Sequence, residues 1–91
     1  MKELPEGVRV YNKTQTYTDK TTPGMMKNDH QTRIGVWGKI IVLKGQVNYL
    51  IPADDEEVVL EPGLDGIIEP TTLHKVDPQP GSKFYVEFYR K

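Results

Sequence analysis

Seven prolines and eight glycines interrupt the 91-residue chain so often that no amphipathic helix of useful length can be drawn along it. The segments between these breaks are rich in β-branched and aromatic residues. Val8 and Val10 alternate with Arg9 and Tyr11, and Thr14, Thr16 and Thr18 keep the period near two. The run Ile34 to Leu43 is almost continuously apolar, which predicts a strand buried on both faces or one that bends at Gly35 and Gly38. Lys44-Gly45-Gln46 reads as a short hairpin connection into a strand in which Val47, Tyr49 and Ile51 alternate with Asn48 and Leu50. Val58 to Leu60, Gly66 to Glu69, Leu73 to Val76 and Phe84 to Tyr89 follow, each bounded by a turn signal. About seven or eight short strands spaced by about eight to twelve residues imply an all-β sandwich, barrel or jelly roll, because a lone open sheet this small exposes its edges.

The length fits one domain, expected over residues 1–91. There is no cysteine, which excludes disulfides, thiolate metal sites and a cysteine nucleophile, and suits a reducing cytoplasm. The N-terminus has no apolar run of the signal-peptide kind and no stretch reaches membrane-spanning length, so no membrane partner is expected. Net charge is −1 with both signs scattered, so the basic stripe that nucleic acid requires is missing. The acidic run Asp54 to Glu57 reads as a solvated turn. The sole serine, Ser82, sits in a Pro-Gly turn, which excludes a serine triad.

Chemistry therefore rests on few residues. His30 lies in a polar connection and His74 at the start of a strand entered through Pro70; imidazole is the commonest metal ligand and a proton carrier near neutral pH. Glu69 closes an apolar segment just before a proline. Glu87 interrupts Phe84 to Tyr89, where a buried charge needs a partner or a cation. The competing reading of Glu87 is alternation, with Phe84, Val86 and Phe88 inward and Tyr85, Glu87 and Tyr89 outward. Arg33, Trp37 and Tyr85 could complete a ligand pocket, with Arg33 as anchor for an anion. Trp37 as core and Arg33 as a surface cation is the plainer reading.

Five spaced motifs, namely Gly35-Val36-Trp37-Gly38, Val42-Leu43-Lys44-Gly45, Val59-Leu60-Glu61-Pro62-Gly63, Ile68-Glu69-Pro70 with His74, and Val86-Glu87-Phe88-Tyr89-Arg90, resemble the TehB/YeaR-like domain, a small cupin. The likeness runs in the same order from Leu4-Pro5-Glu6-Gly7 to the C-terminus. It implies a bacterial cytosolic cupin-like β-barrel tied to tellurite resistance or to the nitrate and nitrite response. That domain occurs alone or ahead of a methyltransferase, but no βαβ pattern or Gly-rich nucleotide turn is present here to support methyl transfer. Against the wider cupin pattern, Gly63 through Pro70 to His74 resembles the second motif. The first motif is incomplete, since Gly38 stands at the glutamate position and only His30 lies near the histidine pair. What the resemblance leaves is His30 and His74 with Glu69 or Glu87, a two-histidine, one-carboxylate set suited to zinc or iron. The expected protein is a homodimer binding a divalent metal and a small-molecule ligand. A metal-dependent dioxygenase or isomerase, and a metal-free sensing or interaction module, are the alternatives.

Overall fold

The computed structural model describes residues 2–91, and Met1, at the edge of the expected domain, lies outside them. The strands are β1 (Arg9–Lys13), β2 (Tyr17–Thr18), β3 (Trp37–Lys44), β4 (Val47–Ile51), β5 (Glu56–Leu60), β6 (Gly66–Ile68), β7 (Lys75–Pro78) and β8 (Lys83–Arg90). One helical turn, α1 (Gly24–Lys27), and a 3-10 turn at Pro52–Asp54 are the helical pieces among the described residues. The all-β expectation is met.

Two antiparallel sheets carry the chain. The larger runs β1-β8-β3-β6, with β2 continuing along the edge of β8 that β1 also occupies; the smaller runs β5-β4-β7. The central strand of the larger sheet, β8, shows why the sequence folds this way. Phe84 and Val86 are fully buried, while Tyr85, Glu87 and Tyr89 face the other side beside Ile41, Lys39 and Trp37 of β3. The outward reading of Glu87 is the one the backbone adopts, because successive side chains on a strand point to opposite faces. Its carboxylate accepts a hydrogen bond from the Tyr89 hydroxyl at 2.8 Å. Desolvation first, and then that bond, push the Tyr89 phenol up to about 12.

Between the sheets lie Ile40, Val42, Phe84, Val86 and Ile68 from one side and Val47, Tyr49, Ile51, Leu60 and Val76 from the other. Gly66 is what lets the sheets close at one point: a Cβ there would stand 2.7 Å from Leu60 Cδ1 and 3.1 Å from the Tyr49 ring. The Tyr49 hydroxyl is buried but satisfied, donating to the Ile67 carbonyl at 2.8 Å.

Three local readings of the sequence are corrected. The run Ile34 to Leu43 is not buried on both faces: Arg33 to Val36 forms a turn, with Val36 N–H donating to Arg33 O at 3.0 Å, and Ile34 is 87% exposed. The strand begins at Trp37 and alternates half-buried Trp37, Lys39 and Ile41 with buried Gly38, Ile40 and Val42. Lys44-Gly45-Gln46 is not a hairpin, because β3 and β4 belong to different sheets. It is an arch that carries the chain from one sheet to the other, beginning where the β3–β8 register slips between Val42 and Lys44. The strand expected at Leu73 starts at Lys75, and residue 74 is held instead by an isolated bridge.

Candidate functional site

Two segments distant in sequence meet at one end of the sandwich. His30 and His74 exchange both backbone hydrogen bonds at 2.8 Å, and Thr71 N–H donates to Thr32 O at 3.1 Å one step further on. The polar connection that carries His30 is thereby stitched to the turn after β6. The stitch brings the two imidazoles edge to face, with ring centroids 5.8 Å apart. Tyr49, from the smaller sheet, presents its ring to His74 at 5.9 Å.

The two imidazoles border a cavity of about 230 Å³ whose wall is mostly apolar: Ile68, Val86 and Phe88 from the larger sheet, Tyr17 from β2, and Met25 and Met26 from α1. His30, His74, Thr14 and Thr32 supply its polar atoms. Thr14 and Thr32 are both committed elsewhere. The Thr14 hydroxyl accepts from Val86 N–H at 3.0 Å, and that of Thr32 donates to Val36 O at 2.7 Å. His74 is different. It is 4% exposed, and its Nδ1 lies 3.1 Å from Thr72 O. A carbonyl can only accept, so Nδ1 carries the proton and Nε2, on the opposite edge of the ring, is left as an acceptor. Nε2 has no hydrogen-bond partner among the described residues.

Burial holds the His74 imidazole below its ordinary pKa. The Thr72 carbonyl partly offsets this, and the nearby His30 adds to the lowering. A histidine whose folded pKa is depressed favours the fold in its neutral form. Its contribution is complete above the unfolded value near 6.5 and is lost as pH falls from there through the lower folded value. Urea unfolding between pH 7.5 and pH 5 should therefore show stability declining with acidification. In His74→Gln the decline should be shallower; an identical slope in the variant would contradict this role.

The other expected site residues scatter. Glu87, Trp37 and Tyr85 lie on the outer face of the larger sheet, across the backbone from the cavity, because each alternates with a core residue. Glu69 follows the inward Ile68 and turns outward, where its carboxylate pairs with Lys2 at 3.9 Å. Arg33 is exposed and borders a second, polar hollow on the far side of His30. A catalytic zinc or ferrous site draws three donors from the protein. The chain brings two imidazoles together and turns both carboxylates away, and among the described residues no group of three or more histidine or acidic side chains is placed to hold a metal. The expected two-histidine, one-carboxylate centre does not fit this arrangement.

Tyr17, Met25, Met26 and Phe88 went unrecognised as cavity wall in the sequence. The one signal was the apolar pair Met25-Met26 inside an otherwise polar connection.

The sequence matches the TehB-like domain over residues 12–86. Two curated relatives from strains of Haemophilus influenzae, each named probable S-adenosyl-L-methionine-dependent methyltransferase TehB, are 29% and 28% identical over 72 residues. The match covers 74% of this chain and 25% of each relative, so the chain corresponds to about a quarter of their length. Among solved structures, a protein from Escherichia coli K12 superposes with a TM-score of 0.88 at 22% identity, covering 98% of this chain and 96% of that one. TehB from Haemophilus influenzae superposes at 0.84 and 25% identity, covering 94% of this chain and 32% of its own. Among the described residues, no helix is long and apolar enough to cross a membrane.

Proposed function

Since the chain belongs to the TehB-like domain family, we propose that it is a small-molecule-binding domain in a tellurite-resistance setting, taking a small, largely apolar ligand into the cavity bounded by the larger sheet, α1 and the His30–His74 bridge. The observation that carries this reading is the largely buried, neutral His74, whose Nε2 keeps some solvent access but has no protein partner, beside an otherwise apolar wall. A ligand that covered this atom without pairing it would incur about 1–3 kcal/mol. A ligand with one O–H or N–H donor avoids that cost while its body displaces poorly held water from apolar surface. The volume suits a ligand of about one aromatic ring, since an engineered apolar cavity of about 150 Å³ already holds benzene.

Phenol and benzene are direct probes, as they share a ring and differ by the hydroxyl. In titrations followed by protein amide NMR shifts, phenol should bind more tightly than benzene by about fivefold or more, the gain of one hydrogen bond. His74→Phe keeps the ring volume and removes the acceptor. It should bring the two probes to within about twofold of each other. Equal binding of phenol and benzene by the unaltered protein, or no binding of either, would defeat the reading.

A further inference from the structure

The cavity shares part of its wall with a second hollow. His30, Thr32 and Phe88 line it on one side and, on the other, border an open vestibule of about 290 Å³ completed by Tyr11, Asn12, Gln31, Arg33 and Val36. The two spaces differ in chemistry. The inner one is mostly apolar; the outer one is mixed polar and apolar, with a guanidinium in its wall and no carboxylate. No carboxylate among the described residues pairs with Arg33.

A second guanidinium is held close by. The β1–β8 register slips between Val10 and Asn12, so Tyr11 is the extra residue of a β-bulge, a device that re-aims a side chain at a sheet edge. Its ring borders the vestibule and carries the Arg90 guanidinium at 4.0 Å from the ring centroid. The bulge thus holds one cation on a residue that borders the vestibule, while Arg33 supplies another in its wall. Arginine at such a site selects planar anions such as carboxylates, to which it can donate two parallel hydrogen bonds.

On the binding reading above, we infer that the ligand is a small amphiphilic carboxylate: its body, apolar but for the donor that meets His74, occupies the cavity against the inner face of the larger sheet, and its anionic end reaches past His30 towards the vestibule and Arg33, with Arg90 adding to the field. His30 then sits where the two halves of the ligand join. An apolar cavity alone would reject a charge, and an open basic hollow alone would not select a hydrophobic body. Their junction at three shared residues makes the combination specific.

The comparison of meta-hydroxybenzoate with phenol separates this inference from the reading beneath it, since both carry the phenolic donor and only one carries a carboxylate. At pH 7.5 and low salt, meta-hydroxybenzoate should bind the unaltered protein, and Arg33→Gln should weaken it about five- to tenfold while phenol changes by less than about twofold. Arg90→Gln should weaken meta-hydroxybenzoate by a smaller factor, about two- to threefold. Arg33 is exposed, so the substitution leaves the core untouched. If phenol binds and meta-hydroxybenzoate does not, or if Arg33→Gln leaves meta-hydroxybenzoate unchanged or weakens both probes alike, the carboxylate assignment is overturned and the cavity reading stands. If phenol fails as well, the cavity reading falls first.

Discussion

Phe84→Ala should destabilise the protein by about 3–5 kcal/mol, read as a fall in the urea midpoint at unchanged slope. Phe84 is wholly buried on the central strand of the larger sheet, and its ring lies 5.8 Å from that of Tyr17, which forms part of the cavity wall. Truncation removes the transfer free energy of the ring and leaves a void that neighbours on two sheets fill only in part. Domains of this size hold about 5–15 kcal/mol in total, so the loss is a large fraction of the whole. A change below about 1 kcal/mol would mean that the sheets are not packed on each other through Phe84.

Gly45→Val should be nearly as damaging, about 3 kcal/mol or more, and it tests the topology. Gly45 has φ +73, a conformation that costs a branched residue about 1–2 kcal/mol by itself. A Cβ there would also stand 3.0 Å from the backbone Cα of Ser82, which is fully buried and cannot rotate away. In a free hairpin turn only the first cost applies. In the observed arch, which presses against the residue leading into β8, both do. A loss near 1 kcal/mol would favour the hairpin; one well above 2 kcal/mol requires the arch.

That position also shows where the sequence stops speaking. Strand period two is local, so β8, β4 and most turn positions could be read from the chain, and so could the outward direction of Glu87 once alternation was taken at face value. Partner choice is not local. Lys44-Gly45-Gln46 has the composition of a hairpin turn whether β4 returns to β3 or crosses to another sheet. Likewise nothing in residues 25–33 or 69–74 announces that His30 and His74 exchange backbone hydrogen bonds, and their juxtaposition was suggested by family resemblance rather than by pattern. The carboxylates expected to join them failed for a plain reason: each sits one residue from a core side chain, and a one-residue offset on a strand is a change of face.

On the proposed function, affinity for a ligand comes from fold-level features rather than from a catalytic motif. A gap remains where Met26 of α1 and Phe88 of the larger sheet stop short of filling the end of the sandwich. The His30–His74 bridge then lines that gap with imidazole. Desolvation favours the neutral form of His74, and on the proposed reading its unpartnered Nε2 would make the gap favour donors over bare charge.

The account turns on that gap receiving a ligand beside His74. The decisive measurement is the set of intermolecular nuclear Overhauser contacts from phenol ring protons at saturating concentration. They should reach the methyl groups of Met26, Ile68 and Val86 and the His74 ring, all of which line the cavity. Contacts confined to Trp37, Tyr85 and Ile41 would place the ligand on the outer face of the larger sheet and contradict the account.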